Sequence, residues 1–502
     1  MKKLLVCLFT IAVVFTSCGT DTPEEVEEVE EPEVVPAYIG EVIKYPWPDS
    51  EMPRFPGVTM TADGEVIDLH SVRANNWNQS LEEADEGVCD QVAVGMFDMG
   101  EGPLYMTVTV PVKPGNVIIR PLGDKINHKV HGNKIAFTIT KPGKYSVEWN
   151  NVPTKPVNAV IIFANPKEDF SAIEAAATTD TVEPGIHAES RTVASGRTLY
   201  LKPGAVIRGS ITMSSNSKLV GRGIIDGSKF RNWLVVGATL PIRTNGTDGV
   251  EVRGVTIFDS NGWNVELRNT TNVTIDNLKM VSARCNSDGI SIQSSNNIEI
   301  KNSFLRNWDD NLVIKNYEGG AASAIESHDI HVKDTILWTD LAQSMEIGFE
   351  TNKGRKAEPK IYNISFENIT VFHAMHKAPI SIHNGDNTEI YDIIFKNITV
   401  ENYQSGWFTG WNYLIDFTNM TGAEVGGAGS WTTVPARGTI RDVLVEDVYV
   451  YPGRVPSARF QNGSAGGEIS GITIKNVYQG DAKLNFSNRV HPNVGTGKVT
   501  FQ

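Results

Sequence analysis

Two short segments carry residue types that could do acid–base chemistry, at a spacing that could bring them together. Asn286-Ser287-Asp288-Gly289-Ile290 holds one carboxylate, and Trp308-Asp309-Asp310-Asn311-Leu312 holds two. Asp288 lies 21 and 22 residues before Asp309 and Asp310. Acids held against one another raise each other's pKa. One carboxyl can then stay protonated as an acid while another stays ionised as a base, which is what hydrolysis of a glycosidic bond requires. Asp and Asn also fill turns, and an isolated Asp-Asp pair is more often only that. The second Asp, about one structural repeat away, favours chemistry.

That repeat is legible after residue 190. A phrase recurs in the order apolar, variable, apolar, charged or Gly, then often Asn or Asp. Its copies are Val250-Glu-Val-Arg-Gly254, Val273-Thr-Ile-Asp-Asn277, Ile298-Glu-Ile-Lys-Asn302 and Ile330-His-Val-Lys-Asp334, then Ile364-Ser-Phe-Glu-Asn368, Ile393-Ile-Phe-Lys-Asn397, Val443-Leu-Val-Glu-Asp447 and Ile472-Thr-Ile-Lys-Asn476. The intervals are 23, 25, 32, 34, 29, 50 and 29 residues. Strand-type alternation at such a period, with no helical pattern, predicts a solenoid of stacked strands about 4.8 Å apart. Each copy points β-branched residues inward and charges outward, and the closing Asn suits a left-handed turn and a ladder along the stack. The 50-residue interval holds either an extra coil or an excursion around Trp407 to Trp431. The expected fold is all-β, a parallel β-helix over residues 180–502. In it, Asp288 and the Asp309-Asp310 pair lie one above the other on successive coils.

Residues 37–167 alternate instead like antiparallel strands, for example Leu104–Val110, Asn116–Arg120, Lys134–Thr140 and Gly143–Trp149, with Pro-Gly turns at 114–115 and 142–143. A small β-sandwich is expected there. The first 17 residues read as an export signal: Lys2 and Lys3 precede an apolar run too short to span a bilayer. Thr16-Ser17-Cys18 resembles a bacterial lipobox, so Cys18 is expected to carry lipid and to anchor the protein at the cell envelope. Residues 18–36 form a tether, in which Asp21 to Glu33 supply eight acids and no base. Of the net charge of −14, that run carries −8 and the two lysines +2, leaving −8 for the remainder. No basic stripe invites nucleic acid. The remaining cysteines, Cys89 and Cys285, lack metal-ligand spacing and read as buried free thiols; no metal or cofactor is expected.

Asn286-Ser-Asp-Gly-Ile followed by Asp309-Asp310 resembles the Asn-Thr-Asp and Gly-Asp-Asp signatures of polygalacturonases, glycoside hydrolase family 28. The dextranases of family 49 share this arrangement and carry an N-terminal β-sandwich. The resemblance implies a right-handed helix and an inverting hydrolase of α-linked polysaccharide or oligosaccharide. It also implies Asp309 as general acid, with Asp288 and Asp310 holding and deprotonating the attacking water, and inversion needs about 6.5–9.5 Å between the carboxyls to seat that water. The family's Gly-His-Gly and Arg-Ile-Lys motifs are missing: the stretch reads Gln343-Ser-Met-Glu-Ile-Gly-Phe-Glu350, followed by Lys353, Arg355 and Lys356. That favours a dextran-like glucan or a galactan- or carrageenan-like chain over a pectic one.

Substrate contacts are expected from Trp308 and Trp263, which flank the aspartates, and from Lys315, Glu346 and His383. Tyr317, Trp338, Trp407 and Trp411 are weaker stacking candidates, and His373 and His376 read rather as satisfied structural histidines. Two other functions remain open on this fold: a polysaccharide lyase and a non-catalytic glycan-binding solenoid.

Overall fold

The computed structural model describes residues 40–74, 89–231, 233–317, 326–352, 357–405, 413–425, 429–432, 434–484, 490–492 and 498–502. The expected signal, the tether with Cys18, and Lys353, Arg355, Lys356, Trp407 and Trp411 lie outside them.

The N-terminal part is a sandwich of two sheets closing over one core. Its strands include Leu104–Thr109, Val117–Arg120, Lys134–Ile139 and Gly143–Trp149, as the alternation predicts. One pairing departs from the antiparallel expectation. Ala159–Pro166 pairs antiparallel with Gly143–Trp149 on one edge and, inserted between it and Asp90–Met99, runs parallel to the latter.

From Thr179 the chain winds as a right-handed parallel β-helix. All eight copies of the phrase stand in one register: Val250, Val273, Ile298, Ile330, Ile364, Ile393, Val443 and Ile472 pair in succession. Ile393 pairs directly with Val443, so the longest interval is one coil with an excursion. Each coil has three faces. Around the aspartates these are Asn296–Lys301, Phe304–Asn307 and Leu312–Lys315, on the first, second and third faces respectively. The corner between the first two is the closing Asn or Asp, left-handed at Asn277 (φ 53°), Asn302 (50°), Asn397 (53°) and Asn476 (54°). Short Asx side chains tolerate that conformation better than other non-glycine residues. Their amides also form the ladder: Asn302 donates to Asp276 at 2.9 Å and Asn397 to Asn368 at 2.7 Å.

The three faces meet different surroundings. The first keeps its outward charges in solvent. The second lies against the sandwich, where Val94, Ile161 and Phe163 share a core with Phe258, Phe304, Trp338 and Phe372. The third follows directly on the turns that carry Asp288, Asp309 and Asp310.

Candidate active site

The third-face strands fix the geometry of the site. Ile290 pairs with Leu312, so Asp288 and Asp310, each two residues before its strand, occupy equivalent positions on adjacent coils. Backbone bonds carry the register into the turns: the Gly289 N–H donates to the Asp310 carbonyl at 2.7 Å, and the Asn264 N–H to that of Asp288 at 2.8 Å. Beneath the turn a buried amide network holds its shape. Asn307 Nδ2 donates to the Ser287 carbonyl at 2.9 Å, and Asn311 Nδ2 to Asn307 Oδ1 at 3.0 Å; Asn311 Oδ1 in turn accepts Thr339 Oγ1 at 2.5 Å. Gly289 is required here, because a Cβ would come within 2.2 Å of the Asn311 carbonyl oxygen.

Asp288 and Asp310 are 3% and 9% exposed, while Asp309 is half-buried at the mouth of the site. Burial, and then the neighbouring charge of Asp309, push the Asp288 carboxyl well above its usual range and Asp310 up to about 7. Ser291 Oγ donates to Asp288 Oδ2 at 3.1 Å, and the Gln343 N–H donates to Asp310 Oδ1 at 2.9 Å from the next coil. Lys315 partly offsets the negative charge, 3.9 Å from Asp288 and 3.2 Å from Glu350. Burial alone would lower the Lys315 ammonium, but Glu350, Asp288 and Asp310 outweigh it and keep it charged.

The other sequence candidates divide. Trp263 sits half-buried one coil below Asp288, its ring 5.4 Å from the Lys315 ammonium, and Tyr317 is half-buried too. Trp308 is almost fully buried. Glu346 and His383 do not line the groove: both are 0% exposed. They form an ion chain under the surface, with His383 Nδ1 2.8 Å from Glu346, His383 Nε2 3.2 Å from Asp416, and Arg459 on Asp416 at 2.6 Å. Burial would lower His383, but Glu346 and Asp416 outweigh it and raise it to about 9. His383 is covered by Phe349, which stacks on it and packs in turn with Met420, Val425 and Trp431 of the excursion after Asn419. Trp338 is likewise buried against the sandwich, with Arg306 over its ring, and His373 and His376 are buried. Cys89 and Cys285 are buried thiols, as expected.

Ser291, Gln343 and Glu350 were not singled out from the sequence. Ser291 was accessible to pattern, being the first outward position of the strand after Asp288. Gln343 was not, because a 33-residue step from Asp310 hides its place one coil away.

A cluster of carboxyls at the turns of a parallel β-helix is the arrangement of a glycoside hydrolase built on this fold. The family model described as glycosyl hydrolases family 28 matches residues 185–478, and the chain belongs to that family. No curated protein matches it. Among solved structures it is similar to Dex49A from Penicillium minioluteum, with a TM-score of 0.56 and 15% identity over 92% of this chain and 96% of that one. It is also similar to an endo-xylogalacturonan hydrolase from Aspergillus tubingensis, with a TM-score of 0.45 and 16% identity over 67% and 95%. The first likeness spans sandwich and helix together.

Proposed function

We propose that the protein hydrolyses an α-linked glycan with inversion. Asp309 protonates the glycosidic oxygen, and Asp288 and Asp310 position and deprotonate the water. The carrying observation is the one-coil pairing that stacks Asp288 on Asp310, where burial first and the charge of Asp309 second raise both. A cluster that retains a proton near neutral pH has one to deliver to the leaving oxygen, and the mechanism passes it through Asp309 while Asp288 and Asp310 ionise to take the water. Asp309 suits this role because it alone of the three is open to a sugar.

The buried cations support a neutral sugar at the cleaved bond. Lys315 is held by Glu350 and Asp288, and His383 lies between Glu346 and Asp416. A uronate carboxylate would have to compete with carboxylates already in place. A dextran-like glucan or a galactan fits better than pectin.

The test is a panel of α-linked glucans, galactans and pectic chains assayed for new reducing ends, followed by proton NMR of the first product anomer. Release of the anomer opposite to the substrate's supports the reading. Retention, or an unsaturated product, defeats it. Cys18 remains our proposed lipid anchor at the bacterial cell envelope; Cys18→Ala should move the protein from the membrane to the soluble fraction.

A further inference from the structure

Outward positions on the first and third faces differ sharply in access. On the first face Glu299, Lys301, His331, Lys333 and Lys396 are half or fully exposed. That is ordinary for a solenoid whose side chains alternate between core and water. The third face has the same alternation: Ile290, Ile292, Leu312, Ile314, Met345 and Ile347 point into the core. Yet its outward positions Ser291, Gln293, Val313, Glu346, Ser381 and His383 are all 0% exposed. A polymer lying along this face would need them as the floor of an open groove.

Two excursions bracket the site, each pinned by a buried side chain. Towards the N-terminus, Asn261 accepts the Thr239 N–H at 2.8 Å and donates to the carbonyls of Arg231 at 2.9 Å and Gly237 at 3.1 Å. Towards the C-terminus, Asp386 accepts the Val434 N–H at 2.9 Å, and Trp431 closes on Phe349 over His383, its ring 4.9 Å away. Around the carboxyls, among the described residues, Asp309, Trp263, Tyr317, Glu350 and Lys377 keep partial exposure and mark a mouth.

We infer that the carboxyl cluster is a blind pocket entered end-on, and that the enzyme trims a short unit from a chain end rather than cutting inside a polymer. This rests on the hydrolase reading above and adds its mode of action. A chain threaded through the middle would have to occupy volume filled by the Phe349–Trp431 contact or by the backbone around Arg231, Gly237 and Thr239 that Asn261 pins. A terminal sugar needs only the mouth.

The experiment follows dextran, a linear α-1,3-glucan, an α-linked galactan and polygalacturonate by viscosity and by product size, at a few percent of bonds cut. Matched oligosaccharides and aryl α-glycosides serve as small probes. One product of constant size from the first time point is expected, with viscosity almost unchanged and short substrates cut at least as fast as long ones. A ladder of product lengths with an early collapse in viscosity overturns the end-on pocket and leaves the hydrolase reading intact. No cleavage of any glycan or aryl glycoside overturns both. A Phe349→Ala, Trp431→Ala double variant should raise the share of internal cuts on whichever polymer is a substrate.

Discussion

Two buried ionisable clusters sit on the same solenoid, and they are built to opposite ends. At the aspartate turns, Asp288 and Asp310 share Lys315, which Glu350 also claims. At the junction with the sandwich, Glu148 accepts Arg120 Nε at 2.9 Å, Ser146 Oγ at 2.7 Å and a bond from His373 Nε2 at 3.1 Å. Burial would raise Glu148 as it raises Asp288, but the charges and hydrogen bonds beside it outweigh burial and hold it well below the usual carboxylate range. Arg120 is the lasting counter-charge, because burial pushes His373 down to about 4, where the ring is neutral near pH 7 and serves as a donor. The lesson is one of compensation rather than composition. A buried acid with a full set of partners stays ionised as a structural part, while one left short holds a proton that it can share with the carboxyl beside it.

The largest expected effect is on chemistry. Asp309→Asn removes the proposed proton donor while preserving shape, and kcat should fall about 10^2–10^4-fold with little change in thermal midpoint. Turnover within a few-fold of the wild type would place the acid elsewhere and dissolve the contrast between the clusters.

Next comes Glu148→Gln, which leaves Arg120 buried beside Glu401 alone, whose carboxyl burial raises to about 7. Breaking such a pair typically costs about 3–5 kcal/mol. A carboxyl held low contributes stability above its unfolded value and loses it as pH falls. The loss should therefore be full at pH 7 and shrink in acid, read from thermal midpoints across pH. Activity per folded molecule should be unaffected.

Asp310→Asn tests the other cluster with the opposite sign. Its folded value of about 7 lies above the usual 3.8. Between those values the folded protein holds a proton that the unfolded chain has lost, so the carboxyl's contribution erodes as pH rises, and above about 7 it is a full penalty. Asparagine does not titrate, and its oxygen can still accept the Gln343 N–H. The variant should be more stable than wild type at pH 8 by about 1–3 kcal/mol, and near equal at pH 4. It should also be almost inactive, a trade-off expected where a site stores unfavourable charge. A variant less stable at pH 8 than at pH 4, relative to wild type, would show that Asp310 is compensated after all.

Sequence pattern carried the parts of this contrast that depend on period. The phrase marks every stacked strand from Val250 to Ile472, its closing Asx supplies the left-handed corners, and the 22-residue step sets Asp288 against Asp310. The parts that depend on what covers a face were not legible. Lys279, Arg306 and Trp338 lie on the outer side of second-face strands, where a one-sided solenoid would leave them in water, but the sandwich buries them. Glu346 and His383 fall at outward positions as the alternation requires, yet both are buried, His383 under Phe349 and the Met420, Val425 and Trp431 that pack with it. Periodicity reports which side of a sheet a residue takes; the neighbour on that side is set by long-range packing.

The smallest effect should come from Glu401, which complicates the junction and so sharpens the comparison. It takes Arg120 Nη1 at 2.9 Å and the Leu122 N–H at 2.6 Å, yet burial outweighs both and raises it to about 7. Arg120 therefore serves one ionised carboxylate, Glu148, and one carboxyl that is largely protonated below neutrality. Glutamine at 401 is close in shape and charge to that protonated form and keeps an oxygen for Leu122. At pH 5–6, Glu401→Gln should change stability by no more than about 0.5–1 kcal/mol, against several for Glu148→Gln under the same conditions. Above pH 7 the variant should gain on the wild type, since the native carboxyl must then ionise in place. Equal losses for the two variants at pH 6 would mean that Glu401 is ionised and that Arg120 is shared evenly. The junction would then be a triad of full charges rather than one satisfied pair beside a proton-bearing acid.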